Sequence, residues 1–266
     1  MKSILKHCIF IISLLIFFLS SAMITSRLTD AYHKRNLLND IRSEVYGEVK
    51  KLDKDIFRME ETKISLFPNW RHHRQDSFYS LYQKNSDLVG WIGIEDTVID
   101  YPVMQSLSEP DFYLKRDFNK EKSSYGSIYT DAGCHIGLSK NYVLYGHHMK
   151  DGSMFAKINN YQYEEFYSQH EIIQFDTFTS LNDYQIIGAF KIPASDIDKI
   201  QQILLMNTEE DFLSFKEYFE SHKYFDTGIQ YSYDDNYLTL MTCEYTNKNG
   251  RFFVLSKQIK TETNDD

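Results

Sequence analysis

Three residue types in this chain would suffice for acyl transfer if folding brought them together. The segment "TLMTC" delivers Cys243, and Arg251 follows eight residues later, after "EYTNKNG". Far upstream, "YVLYGHHM" runs through a strand-like stretch, stops at Gly146 and presents His147 and His148. A thiol is nucleophilic as the thiolate, and with an ordinary pKa near 8.5 it needs a partner at neutral pH. An imidazole can be that partner and can later protonate a leaving amine. The attacked carbonyl then gains negative charge, which the planar donors of a guanidinium are shaped to hold. Cys243, one histidine and Arg251 thus make a complete set. If "NKNG" is a turn, Cys243 and Arg251 lie on adjacent antiparallel strands.

Taken singly, each residue has an ordinary reading. A lone cysteine is commonly a small buried hydrophobe, a histidine at a loop mouth is commonly a surface residue, and an arginine starting a strand needs no chemical role. Asp131 and Asp151 are both candidates to orient the histidine, and the sequence selects neither. Adjacent His147 and His148 also raise the question of a metal. Neighbouring strand positions point to opposite faces, however, and no third ligand stands at a recognisable spacing, so no metal is expected. Cys8, Cys134 and Cys243 form no CxxC unit, which argues against a structural zinc site or a disulfide scaffold.

The elements that must position these residues follow from patterning. The chain has 266 residues, 42% of them hydrophobic, enough for one principal domain with appendages. Net charge is −9 with the basic residues scattered, so no nucleic-acid partner is expected. The uncharged run Cys8–Ile24, preceded by Lys2 and Lys6 and followed by Arg27, just spans a hydrocarbon core at about 1.5 Å per residue. It exceeds the usual length of a signal-peptide core and lacks a clean cleavage site, which favours an uncleaved signal anchor over a cleaved signal peptide. Arg27, Lys34 and Arg35 lie close beyond it, so charge alone leaves the orientation open.

From Asp30 to Lys63, Leu37, Leu38, Ile41, Val45, Val49, Leu52, Ile56 and Met59 recur at helical spacing, predicting one helix or two. A short helical patch is expected around Ser77–Lys84. Beyond it, "DLVGWIGIEDTVIDYPVMQ", "GSIYTDA", "NYVLYGHHM", "EIIQFDTF", "DYQIIGAFKI", "YLTLMTCEY" and "RFFVLSKQI" read as strands. One helix interrupts them at Thr208–Phe225, with an acidic first turn and Phe212, Phe215, Tyr218 and Phe219 on one face. The expected class is therefore mainly β, a barrel or a sandwich, with amino-terminal helices and one helix inserted before the cysteine strand.

In this order the segments resemble the sortases. "TLMTC" is similar to their TLxTC signature, "YGHH" to their catalytic-histidine segment, and Arg251 stands where their essential arginine follows on the next strand. "YLKRDF", "GSIYTDA" and "YGHHMKDGSMFAKI" extend the likeness over about Asn85–Lys260. The amino-terminal helices and the inserted helix look like class B. The resemblance implies a closed eight-stranded β-barrel. It divides the chain into an anchor with short flanks (1–29), juxtamembrane and amino-terminal helices (30–84) and a catalytic barrel (85–266).

By the same resemblance Cys243 is the nucleophile, His147, which directly follows the glycine, the acid/base, and Arg251 the oxyanion or substrate-orienting residue. The implied reaction cleaves a carboxyl-terminal sorting motif of secreted proteins after threonine, through a thioacyl enzyme. Transfer to a peptidoglycan stem or cross-bridge amine follows, with no cofactor. The amino terminus would be cytoplasmic, the single helix in membrane lipid, and the barrel extracellular. A pilin-polymerising sortase is the alternative within the chemistry, and a non-catalytic wall-peptide-binding domain the alternative outside it. Some class B members carry an aspartate two positions after the cysteine; here that position is Tyr245. The helix within Thr208–Phe225 and the loop before it are expected to wall the peptide groove.

Overall fold

A computed structural model describes residues 2–56, 78–244 and 250–259, and gathers the strand-like segments into one closed barrel. The described chain falls into two compact units, Met1–Ser43 and Glu44–Asp266. Helix α1, Lys2–Ile56, makes up the first and continues into the second, so the stripe is carried on one helix as far as Ile56. Residues 57–77, including the end of the stripe, lie outside the described residues.

Along α1, Ser13, Thr25 and Thr29 donate their hydroxyls to the carbonyls of Ile9, Ser21 and Thr25, at 2.9, 3.0 and 2.9 Å. This back-bonding satisfies those hydroxyls within the helix itself. The portion Ile9–Tyr46 is long and apolar enough to cross a membrane.

In the second unit, α2 (78–84) buries Phe78 and Leu81 completely, and Ser80 donates to Glu44 at 2.7 Å. The strands are β1 Leu88–Gly93, β2 Asp100–Met104, β3 Ile128–Thr130, β4 Asn141–Tyr145, β5 Ile172–Thr177, β6 Leu181–Ile192, β7 Tyr237–Glu244 and β8 Gly250–Gln258. They close in the order β1-β2-β3-β4-β7-β8-β6-β5, which leaves no open edge. Pairing is antiparallel except for β2 with β3 and β4 with β7. All the strand segments read from the sequence are here, and the barrel is closed as the resemblance implied.

Short helices α3 (Glu164–Gln169) and α4 (Ile197–Ile203) were not foreseen, whereas α5 (Glu209–His222) was. The start of α5 is a reciprocal capping box: the Asp211 amide donates to Thr208 Oγ1 at 3.1 Å, and the Thr208 amide donates to the Asp211 carboxylate at 3.2 Å. Its apolar face buries Phe215 and Phe219 against Phe190 of β6, which stacks on Phe253 of β8, and Phe212 against Tyr237 of β7. This aromatic layer covers one side of the barrel wall that carries the cysteine.

Candidate active site

Strand β7 lies between β4 and β8, so Cys243 and Arg251 stand on adjacent strands and His147 just past the end of the strand on the other side. The antiparallel register sets Cys243 directly opposite Arg251. On the other side β4 runs parallel to β7, with Tyr145 opposite Met241. Carried two residues past the end of β4, that register brings His147 level with Cys243.

Gly146 locks the alignment, for its amide donates to the Met241 carbonyl at 3.1 Å and its own carbonyl accepts from Thr242 Oγ1 at 2.7 Å. A Cβ here would stand 2.6 Å from side-chain atoms of both Ile128 and Phe155, which is why glycine precedes the histidine. The His147 carbonyl accepts from the Phe155 amide at 2.9 Å, holding the residue from its other side.

The strand ends open on a cavity of about 460 Å³ lined by Leu114, Tyr145, His147, Met241, Thr242 and Arg251, among others. Inside it His147 Nε2 lies 2.7 Å from the Leu114 carbonyl oxygen. A carbonyl can only accept, so Nε2 carries the proton and Nδ1 is the nitrogen left for proton transfer. His148 forms a small antiparallel bridge with Met154 instead. The guanidinium of half-buried Arg251 donates to the Gly250 carbonyl at 3.2 Å at the start of β8.

Neither aspartate proposed as a histidine partner is seen bonded to His147. Asp131 lines the cavity but accepts from the Tyr145 hydroxyl and the Gly133 amide, each at 2.8 Å. Burial first, and the Asp131 charge second, push the Tyr145 phenol up, so it remains the donor. Asp151 accepts from Tyr125 at 2.8 Å and from the Ser153 hydroxyl at 2.6 Å. Burial alone would raise its pKa; the bonds from Ser153 and Tyr125 outweigh it and hold the carboxyl below its ordinary value.

The group on His147 is a main-chain oxygen, which no residue type announces. Its only trace in the sequence is "YLKRDF", whose first residues form the 3-10 turn Phe112–Lys115. Tyr129 also lines the cavity, packs on Tyr145 at 5.2 Å between ring centroids, and donates to Asp111 at 3.2 Å. The helical contribution to the cavity is Gln201 of α4, in the stretch ahead of α5, while α5 packs on the core. Tyr245 and the "NKNG" turn lie outside the described residues.

This geometry has a counterpart among known proteins. Residues 92–259 match the family model described as "Sortase domain". Staphylococcus aureus Sortase B is 30% identical over 220 residues, covering 82% of this chain and 88% of that relative. The chain belongs to the sortase family of cysteine transpeptidases. Its class is B, as the solved structures it resembles also indicate. A Staphylococcus aureus sortase B–substrate complex superposes with a TM-score of 0.70 at 26% identity, over 88% of this chain and 100% of that one. A sortase B complexed with triglycine gives 0.68 at 26% identity, over 87% and 100%.

Proposed function

We propose that Cys243, His147 and Arg251 carry out the transpeptidation. The observation that carries this reading is the register of β4, β7 and β8, which sets all three at one level beside a cavity where His147 has a defined tautomer. Cys243 gives its proton to Nδ1 of His147, and the thiolate attacks the carbonyl of a threonine in a carboxyl-terminal sorting motif. Arg251 holds the carbonyl oxygen as negative charge develops there. The C–N bond then breaks, the leaving amine takes the proton from His147, and a thioacyl enzyme remains.

An amine next attacks the thioester, gives its proton to His147 and releases the thiolate with a new amide bond. A peptidoglycan stem or cross-bridge amine fits the second substrate. The sortase B structures solved with a substrate and with triglycine support a peptide donor and an amine acceptor. We assign residues 1–29 to an anchor with its amino terminus in the cytoplasm, 30–84 to the connecting helices, and 85–266 to the extracellular catalytic barrel. The apolar helix Ile9–Tyr46 supports the anchor.

The test uses the full chain in detergent, a fluorescent sorting-peptide library and a glycine-peptide amine. Cleavage should yield a Cys243 adduct by intact-mass measurement, followed by a ligated product. Cleavage that persists in Cys243→Ala would remove the nucleophile assignment. A peptide that binds without ever forming the adduct would favour a binding module.

A further inference from the structure

We infer that the main chain of Leu114, backed by Gly126, is the positioning element that sets the tautomer of the catalytic histidine, a ring to which no acidic side chain among the described residues is bonded. The inference rests on the reading of His147 as acid/base. Four observations converge on it. His147 donates from Nε2 to the Leu114 oxygen at 2.7 Å. The two aspartates near enough in sequence to be considered are bonded elsewhere, Asp131 to Tyr145 and Asp151 to Tyr125 and Ser153.

The turn that carries this carbonyl is also held on both sides. The Leu114 amide donates to the Asp111 carbonyl at 3.0 Å within its 3-10 turn, and the Tyr113 carbonyl accepts from the Ser127 amide at 3.0 Å. The fully buried Tyr113 anchors the turn from below: its hydroxyl donates to Asp87 at 2.7 Å and accepts from Asn85 at 2.9 Å.

Gly126 completes the arrangement. It has φ of +60°, and a Cβ there would stand 2.5 Å from the Leu114 oxygen and 2.7 Å from that of Tyr113. Both atoms are backbone and cannot swing aside, so any side chain at 126 displaces the carbonyl that His147 reads. "GSIYTDA" therefore begins with glycine for the sake of a residue 21 positions further on.

The chemical consequence differs from that of an aspartate. A carbonyl fixes which nitrogen is protonated without adding a negative charge beside the ring. In the neutral ring it therefore leaves Nδ1 bare to receive the thiol proton.

The experiment is ¹⁵N NMR of imidazole-labelled full-length protein in detergent, at a pH where the ring is neutral, with the His147 signal assigned by its loss in His147→Ala. The expected wild-type spectrum shows Nε2 protonated and Nδ1 bare. Gly126→Ala should show both tautomers and a loss of about 10²-fold in kcat with KM little changed, as a misplaced catalytic group causes. If that variant does not fold, Tyr113→Phe, which frees the turn while keeping the ring, is judged by the same two readouts. A wild-type ring protonated at Nδ1 overturns the inference, and so does a folded variant with unchanged tautomer and kcat. Full turnover in His147→Ala would instead strike the acid/base assignment itself.

Discussion

The cavity mouth and the helical flank of the same barrel are built in opposite ways. At the mouth each bond ends on a main-chain group: the Gly146 amide on the Met241 carbonyl, the Thr242 hydroxyl on the Gly146 carbonyl, and His147 on the Leu114 carbonyl. Under α5 it is set by side chains, with Phe190 ringed by Phe215, Phe219 and Phe253 at centroid distances of 5.9, 5.5 and 5.0 Å. A close-packed aromatic layer responds to lost volume through stability, since a cavity costs free energy wherever it lies. A site held by backbone bonds responds to displaced atoms through rate. Changes in the two places should therefore separate in different measurements.

The largest separation is expected at Cys243→Ala, which should lower transpeptidation to background, at least about 10³-fold, while the melting temperature stays within about 2 °C. His147→Ala should follow, with a loss of about 10²–10⁴-fold in kcat. Arg251→Lys keeps the charge but loses the planar fork, and should cost about 10²–10³-fold in kcat/KM. On the flank, Phe219→Ala should lower stability by about 3–5 kcal/mol in urea titrations while the folded fraction keeps its kcat. A comparable drop in kcat there would mean that the two regions are coupled and the distinction fails. The smallest effects belong to Thr208→Ala, expected to cost about 1 kcal/mol through the lost cap, and to His148→Ala, expected to retain most turnover.

What the residues revealed before any coordinates follows the same division. The strands were legible because β-branched and aromatic residues cluster between turn signals. Helix α5 was legible because Thr208 and the acidic residues after it start a run with phenylalanines on one face. Cys243, His147 and Arg251 could be singled out because their side chains are reactive types at strand ends, and the register of β7 with β4 and β8 brings their positions together.

The histidine's partner was hidden because it is a carbonyl, the same group on every residue. Asp131 and Asp151 were plausible partners by type, and only the positions of Tyr145, Tyr125 and Ser153 reveal how each is engaged. Helices α3 and α4 are too short for periodicity to establish, so the contribution of Gln201 to the cavity had no signal. The parallel partnership of β4 and β7 was equally hidden, since no local pattern specifies a pairing across so long a connection.

That partnership also dictates when the enzyme can first act. The bond from Thr242 to Gly146 joins residues 96 apart in the chain, and the intervening segment contains β5, β6 and both α4 and α5. Closing a loop of that length carries an entropic cost that early, local contacts do not meet. During synthesis β4 is complete long before its neighbour β7 exists, and β8, which brings Arg251, comes later still. A chain elongating from its amino terminus thus carries His147 for much of its growth before Cys243 and Arg251 exist. On the proposed reading of the site, competence to cleave arrives only with the last two strands.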